Sequence, residues 1–175
     1  MLTLASIACT KREEVVLVTQ ENGCRTRIVI NEIQASGSTE LNEFGDRSDW
    51  LELHNAGADV FLTEGEWYLT DDRKNLLKFE LPMMTLEEGD HRLIWCDGLD
   101  EVGNDIHASF HLAAKGEWLA LVHATEGRAC MIDSVSYLTT DDDRSRSLGR
   151  MPDGSPQWMP LAEPSPGKSN GSPPQ

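Results

Sequence analysis

Two histidines and a serine alternate along the segment 106–112, which is predicted to be a strand. Alternation places His107, Ser109 and His111 on one face of that strand. The other face has the residue types of a core: Ala108, Phe110 and Leu112. Strand residues four apart are separated by roughly 13 Å, whereas a metal ion is held by bonds of about 2 Å. We therefore expect the two histidines to be solvated rather than to share a metal.

Carboxylates concentrate in the predicted turns, and calcium is the cation that prefers several such oxygens. The most loop-like of these turns is 97–105, where Asp97, Asp100 and Asp105 are the candidate ligands. This segment departs from the EF-hand pattern, because Leu99 stands where an oxygen donor belongs. A solvated acidic loop is the default interpretation, and a calcium site is the alternative.

The sequence lacks the common catalytic motifs. It contains no G-x-S-x-G elbow, no H-E-x-x-H pair and no G-x-x-x-x-G-K-[ST] phosphate loop. Serine, histidine and aspartate are plentiful, so residue counts alone do not exclude a triad. We nevertheless predict a protein that is not an enzyme and that needs no cofactor.

The chain has four cysteines, and none of them forms the C-x-x-C pair of a zinc ribbon. Cys96 and Cys130 would form a disulfide if their strands face each other in an oxidising compartment. The alternative is that both are small buried apolar side chains. Cys9 follows the small residues of Ser6-Ile7-Ala8, as in the lipobox of bacterial lipoproteins, and is a candidate for lipidation.

The termini are predicted to differ from the middle of the chain. Residues 1–26 are interpreted as the remnant of an export signal or as a linker, and the apolar run 15–18 is an extra strand or part of that linker. Residues 163–175 are rich in proline, glycine and serine, which predicts a tail without a packed element.

Charge narrows the choice of partners. Fifteen lysine and arginine side chains and thirty aspartate and glutamate side chains give the chain a formal net charge of −15 at pH 7. An acidic surface repels phosphate backbones, so nucleic-acid binding is not expected. No stretch approaches the roughly 20 apolar residues of a membrane span, so membrane contact is expected only through a lipid on Cys9.

The elements that must position these residues are short strands separated by turn residues throughout 27–162. No window of the sequence sustains a helical stripe. Many short strands with frequent turns predict an all-β sandwich. The predicted strands are 28–33, 49–54, 60–62, 67–69, 76–79, 91–96, 106–112, 117–123 and 129–137.

The central strand motif also makes predictions about burial. Alternation places Trp50 on one face, with Leu51 and Leu53 on the other, and a tryptophan there indicates that both faces are covered. Glu52 then shares the face of Trp50 and needs a partner, for which Arg150 is the candidate. Trp158 is expected to close the edge of the sandwich.

The order of several motifs resembles the lamin-tail domain family, in its bacterial type. The matching segments are I-V-I-N-E-I at 28–33, D-W-L-E-L-H-N at 49–55, W-Y-L-T-D-D at 67–72, I-D-S-V-S-Y at 132–137, S-L-G-R-M-P-D-G at 147–154 and S-P-G-K-S-N at 165–170. The closing motif therefore extends the domain to 170. The resemblance implies an immunoglobulin-like β-sandwich.

Bacterial members of that family occur in surface and secreted proteins, often beside hydrolases or nucleases, where they bind or tether. The resemblance thus implies a non-catalytic module of the bacterial cell envelope, or a secreted one, that contacts a protein or an envelope ligand. A calcium-dependent adhesive domain and an accessory domain to a separate hydrolase are the alternatives.

Overall fold

The structure is a computed structural model, and it describes residues 16–18, 25–36, 38–139 and 147–171. These residues form an all-β structure with strands in three sheets. One sheet contains, in spatial order, β14 (Trp158–Leu161), β13 (Ser147–Arg150), β2 (Ile28–Gln34), β3 (Trp50–Asn55), β8 (His91–Trp95), β10 (Ile106–His107) and β9 (Glu101–Val102). The second contains β1 (Val16–Val18), β12 (Arg128–Ser136), β11 (Trp118–Thr125), β5 (Trp67–Thr70) and β6 (Phe79–Glu80). The third pairs β4 (Val60–Leu62) with β7 (Met84–Leu86).

The main core joins the seven-stranded and five-stranded sheets in a sandwich-like arrangement. Leu53 of β3 and Ile30 of β2 belong to the same buried cluster as Leu121 of β11 and Ile132 of β12. Each such side chain stabilises the fold by about 1.5–3 kcal/mol when it is fully buried. The predicted all-β class is therefore confirmed, and no helix among the described residues has the length and hydropathy that a membrane crossing needs.

The central strand β3 is buried along its whole length, which confirms the prediction that both of its faces are covered. Leu51 and Leu53 enter the core, while Trp50 is fully buried on the opposite face. The neighbouring strand β2 has a bulge at Asn31, since Ile30 pairs with Leu53 and Glu32 pairs with Glu52. The bulge leaves Asn31 without a cross-strand partner, so its side chain is available for other contacts.

Some predicted elements have different bounds. The run 15–18 provides β1, which lies parallel to β12. The strand predicted at 106–112 ends at His107. Ala108 still bonds to the chain at the end of β8, since its N–H donates to Trp95 O at 2.7 Å and its O accepts from Gly98 N–H at 3.0 Å. Beyond it, His111 pairs only as an isolated bridge to Asp97. Strands β7, β9, β13 and β14 were not among the predicted strands.

The prediction of a tail is wrong for residues 163–171, which we name the closing segment. It forms no strand, but Ser165 N–H donates to Glu32 Oε1 at 3.0 Å and Gly167 N–H donates to Glu52 Oε2 at 2.7 Å. Asn170 Nδ2 donates to Arg150 O at 2.9 Å. The N–H groups of Ser165 and Gly167 have no partner within the segment itself, so carboxylates of the sheet can bind them.

Candidate functional site

A cavity of about 340 Å³ lies at the end of the seven-stranded sheet where β3 begins and β8 ends. We name it the end pocket. The loop 38–49 that precedes β3 forms one side, and the turn that follows Cys96 forms the other. Polar and charged side chains dominate its lining, which includes Asp46, Arg47, Asp49, Asp97, Leu99 and His111.

Asn42 organises the loop beside the end pocket. Its side-chain Oδ1 accepts hydrogen bonds from Phe44 N–H at 3.0 Å and Asp46 N–H at 2.9 Å. Its backbone oxygen accepts from Gly45 N–H at 2.9 Å, and Gly45 has a φ of +83° that favours glycine. Asparagine and glycine thus fold this turn locally, and the same turn presents Phe44 and Asp46 outward.

Asp97 joins the two sides of the end pocket. Its Oδ2 accepts from Asn42 Nδ2 at 3.3 Å and lies 2.7 Å from His107 Nδ1. His107 is fully buried, so the expectation that it is solvated is wrong. His107 is the last residue of β10 and lies behind the lining residue Asp97, whereas His111 is exposed as expected. The predicted core positions Ala108, Phe110 and Leu112 are all buried.

The structure does not bring the calcium candidates together. Asp97 is bonded to His107 as described, and Asp105 Oδ2 accepts from Trp95 Nε1 at 3.0 Å. Asp100 is exposed and has no side-chain hydrogen bond among the described residues. Within that part of the chain, no group of three or more acidic, histidine or cysteine side chains is arranged to hold a metal ion. The acidic segment is used for internal hydrogen bonds instead.

Burial shapes the electrostatics of the end pocket. Burial raises the pKa of the Asp49 carboxyl, although Ser36 N–H donates to its Oδ1 at 2.6 Å and opposes that rise. Burial also raises the pKa of the Cys96 thiol, and the charges of Asp49 and Asp97 add to the effect. Cys96 therefore remains a neutral thiol at the base of the pocket rather than a nucleophile.

The predicted disulfide between Cys96 and Cys130 is not formed. Cys96 is a free, fully buried thiol beside the end pocket, where its Sγ lies 3.8 Å from Ile94 O. Cys130 belongs to β12 in the other large sheet, and it is disulfide-bonded. Cys9, the candidate for lipidation, lies outside the described residues.

Three large apolar side chains are exposed on the two loops that form the end pocket. Leu41 is 57% exposed, Phe44 55% and Leu99 49%. Leu99 lines the pocket, Leu41 adjoins the lining residue Asn42, and the Phe44 ring lies 5.2 Å from the buried His107 ring. We name this trio together with the end pocket the loop surface. Sequence analysis missed Leu41 and Phe44, and the available signal was two large apolar residues in an otherwise polar loop.

A second polar cluster lies on the outer face of the seven-stranded sheet. Glu32 and Glu52 are fully buried and directly opposite each other on β2 and β3. Glu52 Oε1 lies 2.7 Å from His91 Nδ1, and Asn31 Nδ2 donates to the same oxygen at 3.3 Å. Burial raises the pKa of Glu32, against the hydrogen bonds from Ser147 and Ser165. Glu32 and Glu52 also accept hydrogen bonds from Ser165 and Gly167 of the closing segment, so the cluster fastens that segment to the sheet.

The predicted partner of Glu52 was wrong. Arg150 instead pairs with Asp133, since its Nη2 lies 3.0 Å from both carboxylate oxygens. Its guanidinium also lies over the Trp158 ring, 4.8 Å from the centroid. Asp133 is on β12, so Arg150 links the two large sheets, whereas Glu52 is on the opposite face of the seven-stranded sheet. Trp158 lies on the edge strand β14, in agreement with the expected position.

Comparison with family models, curated proteins and solved structures yields no match. The chemistry of the chain is therefore argued from its own residues. Two of its polar clusters, around Glu52 and around Asp133, are engaged in internal bonds. The loop surface differs from them, because it combines open space, free charge and exposed apolar side chains.

Proposed function

We propose that the chain is a non-catalytic protein-binding module of the bacterial cell envelope, or a secreted one, and that it binds its partner at the loop surface. The observation that carries the proposal is the exposure of Leu41, Phe44 and Leu99 on the two loops that form one open pocket. Clustered apolar side chains rimmed by polar residues are typical of interaction sites, whereas single exposed ones are ordinary.

The rigidity of the loops supports this proposal. Asn42 and Asp97 fix the two sides of the end pocket by hydrogen bonds to each other and to their own loops. Cys96 N–H donates to Asp49 O at 2.7 Å, which fastens both loops to the ends of β3 and β8. A surface that is already ordered loses less conformational entropy when a partner binds.

Two further observations support the proposed family and location. The sandwich-like arrangement of the two large sheets agrees with an immunoglobulin-like fold of the lamin-tail type, which we propose for this chain. The disulfide at Cys130 is stable in an oxidising compartment, such as the space outside the bacterial cytoplasm.

Site-specific cross-linking tests the binding function. A benzophenone analogue of phenylalanine replaces Phe44 in the full chain, within cells that make it. The matched control carries the analogue at Phe61, which is 57% exposed on β4. We expect a light-dependent protein adduct from position 44 that is absent from position 61 and is lost with Leu99→Ser. Equal adducts from both positions, or no adduct from position 44, would count against the proposal.

A protease test addresses the location. Intact cells are treated with a protease that cannot enter them, and the chain is followed by immunoblotting. Digestion of the chain without lysis, while a cytoplasmic marker stays intact, is the expected result. Protection of the chain until the cells are lysed would argue against display outside the cytoplasm.

A further inference from the structure

We infer that the partner presents a basic segment, with a lysine or arginine side chain in the end pocket and an apolar neighbour on Leu41, Phe44 and Leu99. This inference rests on the proposed binding function and specifies the chemistry of the partner. The inference is based on charge complementarity and on exposed apolar area. The proposed occupant of the loop surface is a segment of another protein.

The lining of the end pocket has an excess of negative charge. It includes three carboxylates, Asp46, Asp49 and Asp97, against one guanidinium, Arg47. Asp100 and Asp105 lie in the adjoining turn, and the whole chain has a net charge of −15. A cationic group that approaches this end of the molecule is attracted, and an anionic one is repelled.

The carboxylates at the mouth keep oxygens that can accept further hydrogen bonds, although Asp97 Oδ2 is already bonded to Asn42 and His107. Asp46 is exposed, and its side chain makes no hydrogen bond or ion pair within the described ranges. Arg47 is exposed as well and forms no ion pair with any carboxylate of those ranges. Asp97 Oδ1 accepts only a long bond of 3.4 Å from Leu99 N–H. Charge-assisted hydrogen bonds to an incoming ammonium or guanidinium group would use these oxygens.

The dimensions suit one long side chain. A volume of about 340 Å³ is near the lower end of the range for ligand pockets, about 300–1,000 Å³. The methylene stem of lysine or arginine can contact Leu99 while its charged end reaches the carboxylates. Residues next to it on the partner then cover Phe44 and Leu41, which lie beside the opening.

Three synthetic dodecapeptides test the inference by fluorescence anisotropy with the full chain. One alternates leucine with arginine, one leucine with glutamate, and one serine with arginine. We expect the leucine–arginine peptide to bind most tightly. Its affinity should fall at least tenfold between about 20 mM and 500 mM salt, because the Debye length shrinks over that range. Binding of the leucine–glutamate peptide as tight as that of the leucine–arginine peptide would overturn the inference.

Two pairs of variants assign the binding to the loop surface. Asp46→Lys should lower the affinity for the leucine–arginine peptide about tenfold. Glu163→Lys makes an equal charge change at an exposed site and should leave that affinity unchanged. Phe44→Ser should lower the affinity for the same peptide at least tenfold, while Phe61→Ser should leave that affinity unchanged. Equal effects within either pair overturn the inference. Near-native circular dichroism of each variant shows that it remains folded.

The failures of the two proposals are distinguishable. If no peptide binds while the adduct from position 44 persists, the basic-segment inference is overturned and the binding function stands. If the adduct is absent as well, both are overturned.

Discussion

Gln34 is a buried amide without hydrogen-bond partners, and this makes it a site where stability can be gained. It is fully buried on β2, and neither its Oε1 nor its Nε2 has a partner within the described residues. An unsatisfied buried polar group costs about 1–3 kcal/mol. We expect Gln34→Met to raise the free energy of unfolding by a similar amount, measured by urea denaturation. The exposed Gln157→Met is the control, and a loss of stability in Gln34→Met alone would contradict the argument.

Gly116 is a residue whose side-chain hydrogen cannot be replaced. Its φ is +109°, and an added Cβ would lie 2.2 Å from Tyr137 O. We expect Gly116→Ala to destabilise the protein by more than about 2 kcal/mol, since a steric clash adds to the backbone strain. Gly127 also has a positive φ, +73°, but nothing lies within 4 Å of its added Cβ. Gly127→Ala should therefore cost only about 1–2 kcal/mol, and thermal unfolding of both variants makes the comparison. Equal losses would show that the clash with Tyr137 is relieved.

The closing segment is the element on which the seven-stranded sheet depends. Without it, Glu32 and Glu52 lose the N–H groups of Ser165 and Gly167 that bind their carboxylates in the folded chain. Removing one partner of a buried charge costs about 3–5 kcal/mol. We expect deletion of residues 163–175 to destabilise the domain by at least that amount. The same deletion combined with Glu32→Gln and Glu52→Gln should recover part of the loss, whereas no recovery would show that the carboxylates are not its cause.

Strands were predictable where the pattern that defines them is local. Alternation or β-branching marks β2, β3, β11 and β12, and these four were predicted to within a few residues. The segment 106–112 was predicted to be a strand throughout because it alternates, but it pairs as a strand only at Ile106–His107, and His111 forms no more than an isolated bridge. Composition alone predicted a tail at 163–171, although the family resemblance extended the domain to 170, because the carboxylates that bind Ser165 and Gly167 lie more than 100 positions away in the sequence.

The loop surface was only partly predictable for a similar reason. Asp97 was identified as a functional candidate, but its acceptor atoms are bonded to Asn42 and His107 rather than gathered for calcium. A leucine or phenylalanine within a loop looks the same in sequence whether the fold buries it or exposes it. The exposure of Leu41 and Phe44 depends on the Asn42 turn and on the end of β3, which only the tertiary structure reveals.

The molecule as a whole is expected to be more stable in mild acid than at neutral pH. Burial raises the pKa of the Glu32, Glu117 and Asp133 carboxyls. The folded protein thus binds these protons at a higher pH than the unfolded chain, and their stabilising effect is lost as the pH rises through the raised pKa values. Protonation also reduces the self-repulsion of a chain with a net charge of −15.

Three further groups affect the pH dependence of stability, one in the same direction as these carboxyls and two in the opposite direction. The charge and hydrogen bond of Glu52 outweigh burial and raise the pKa of His91, which also favours folding at lower pH. Burial lowers the pKa of His54, and hydrogen bonds from Ser169 and Asn31 outweigh burial and lower that of Asp153. The last two groups lose their stabilising effect as the pH falls through their lowered values.

We expect the Tm to rise as the pH falls from neutral toward the raised pKa values of these carboxyls, because the groups whose pKa is raised outnumber His54 and Asp153, whose pKa values are lowered. Differential scanning calorimetry at constant ionic strength measures it. Glu32→Gln removes one titrating group, so its profile should be flatter than that of the unchanged chain. A Tm that falls steadily over this interval would contradict the assignment of raised pKa values.

The bonds between the closing segment and the buried glutamates also bear on when the protein can fold during its synthesis. Ser165 lies 133 positions after Glu32, so the ribosome makes β2 and β3 long before the groups that stabilise their carboxylates. At a synthesis rate of about 5–20 residues per second, Glu32 and Glu52 wait for several seconds or more before the N–H groups of the closing segment are available. The nascent chain therefore cannot complete its seven-stranded sheet until the closing segment has been synthesised. If the chain is exported, as proposed above, such a delay keeps the polypeptide unfolded long enough to be threaded through a translocation channel.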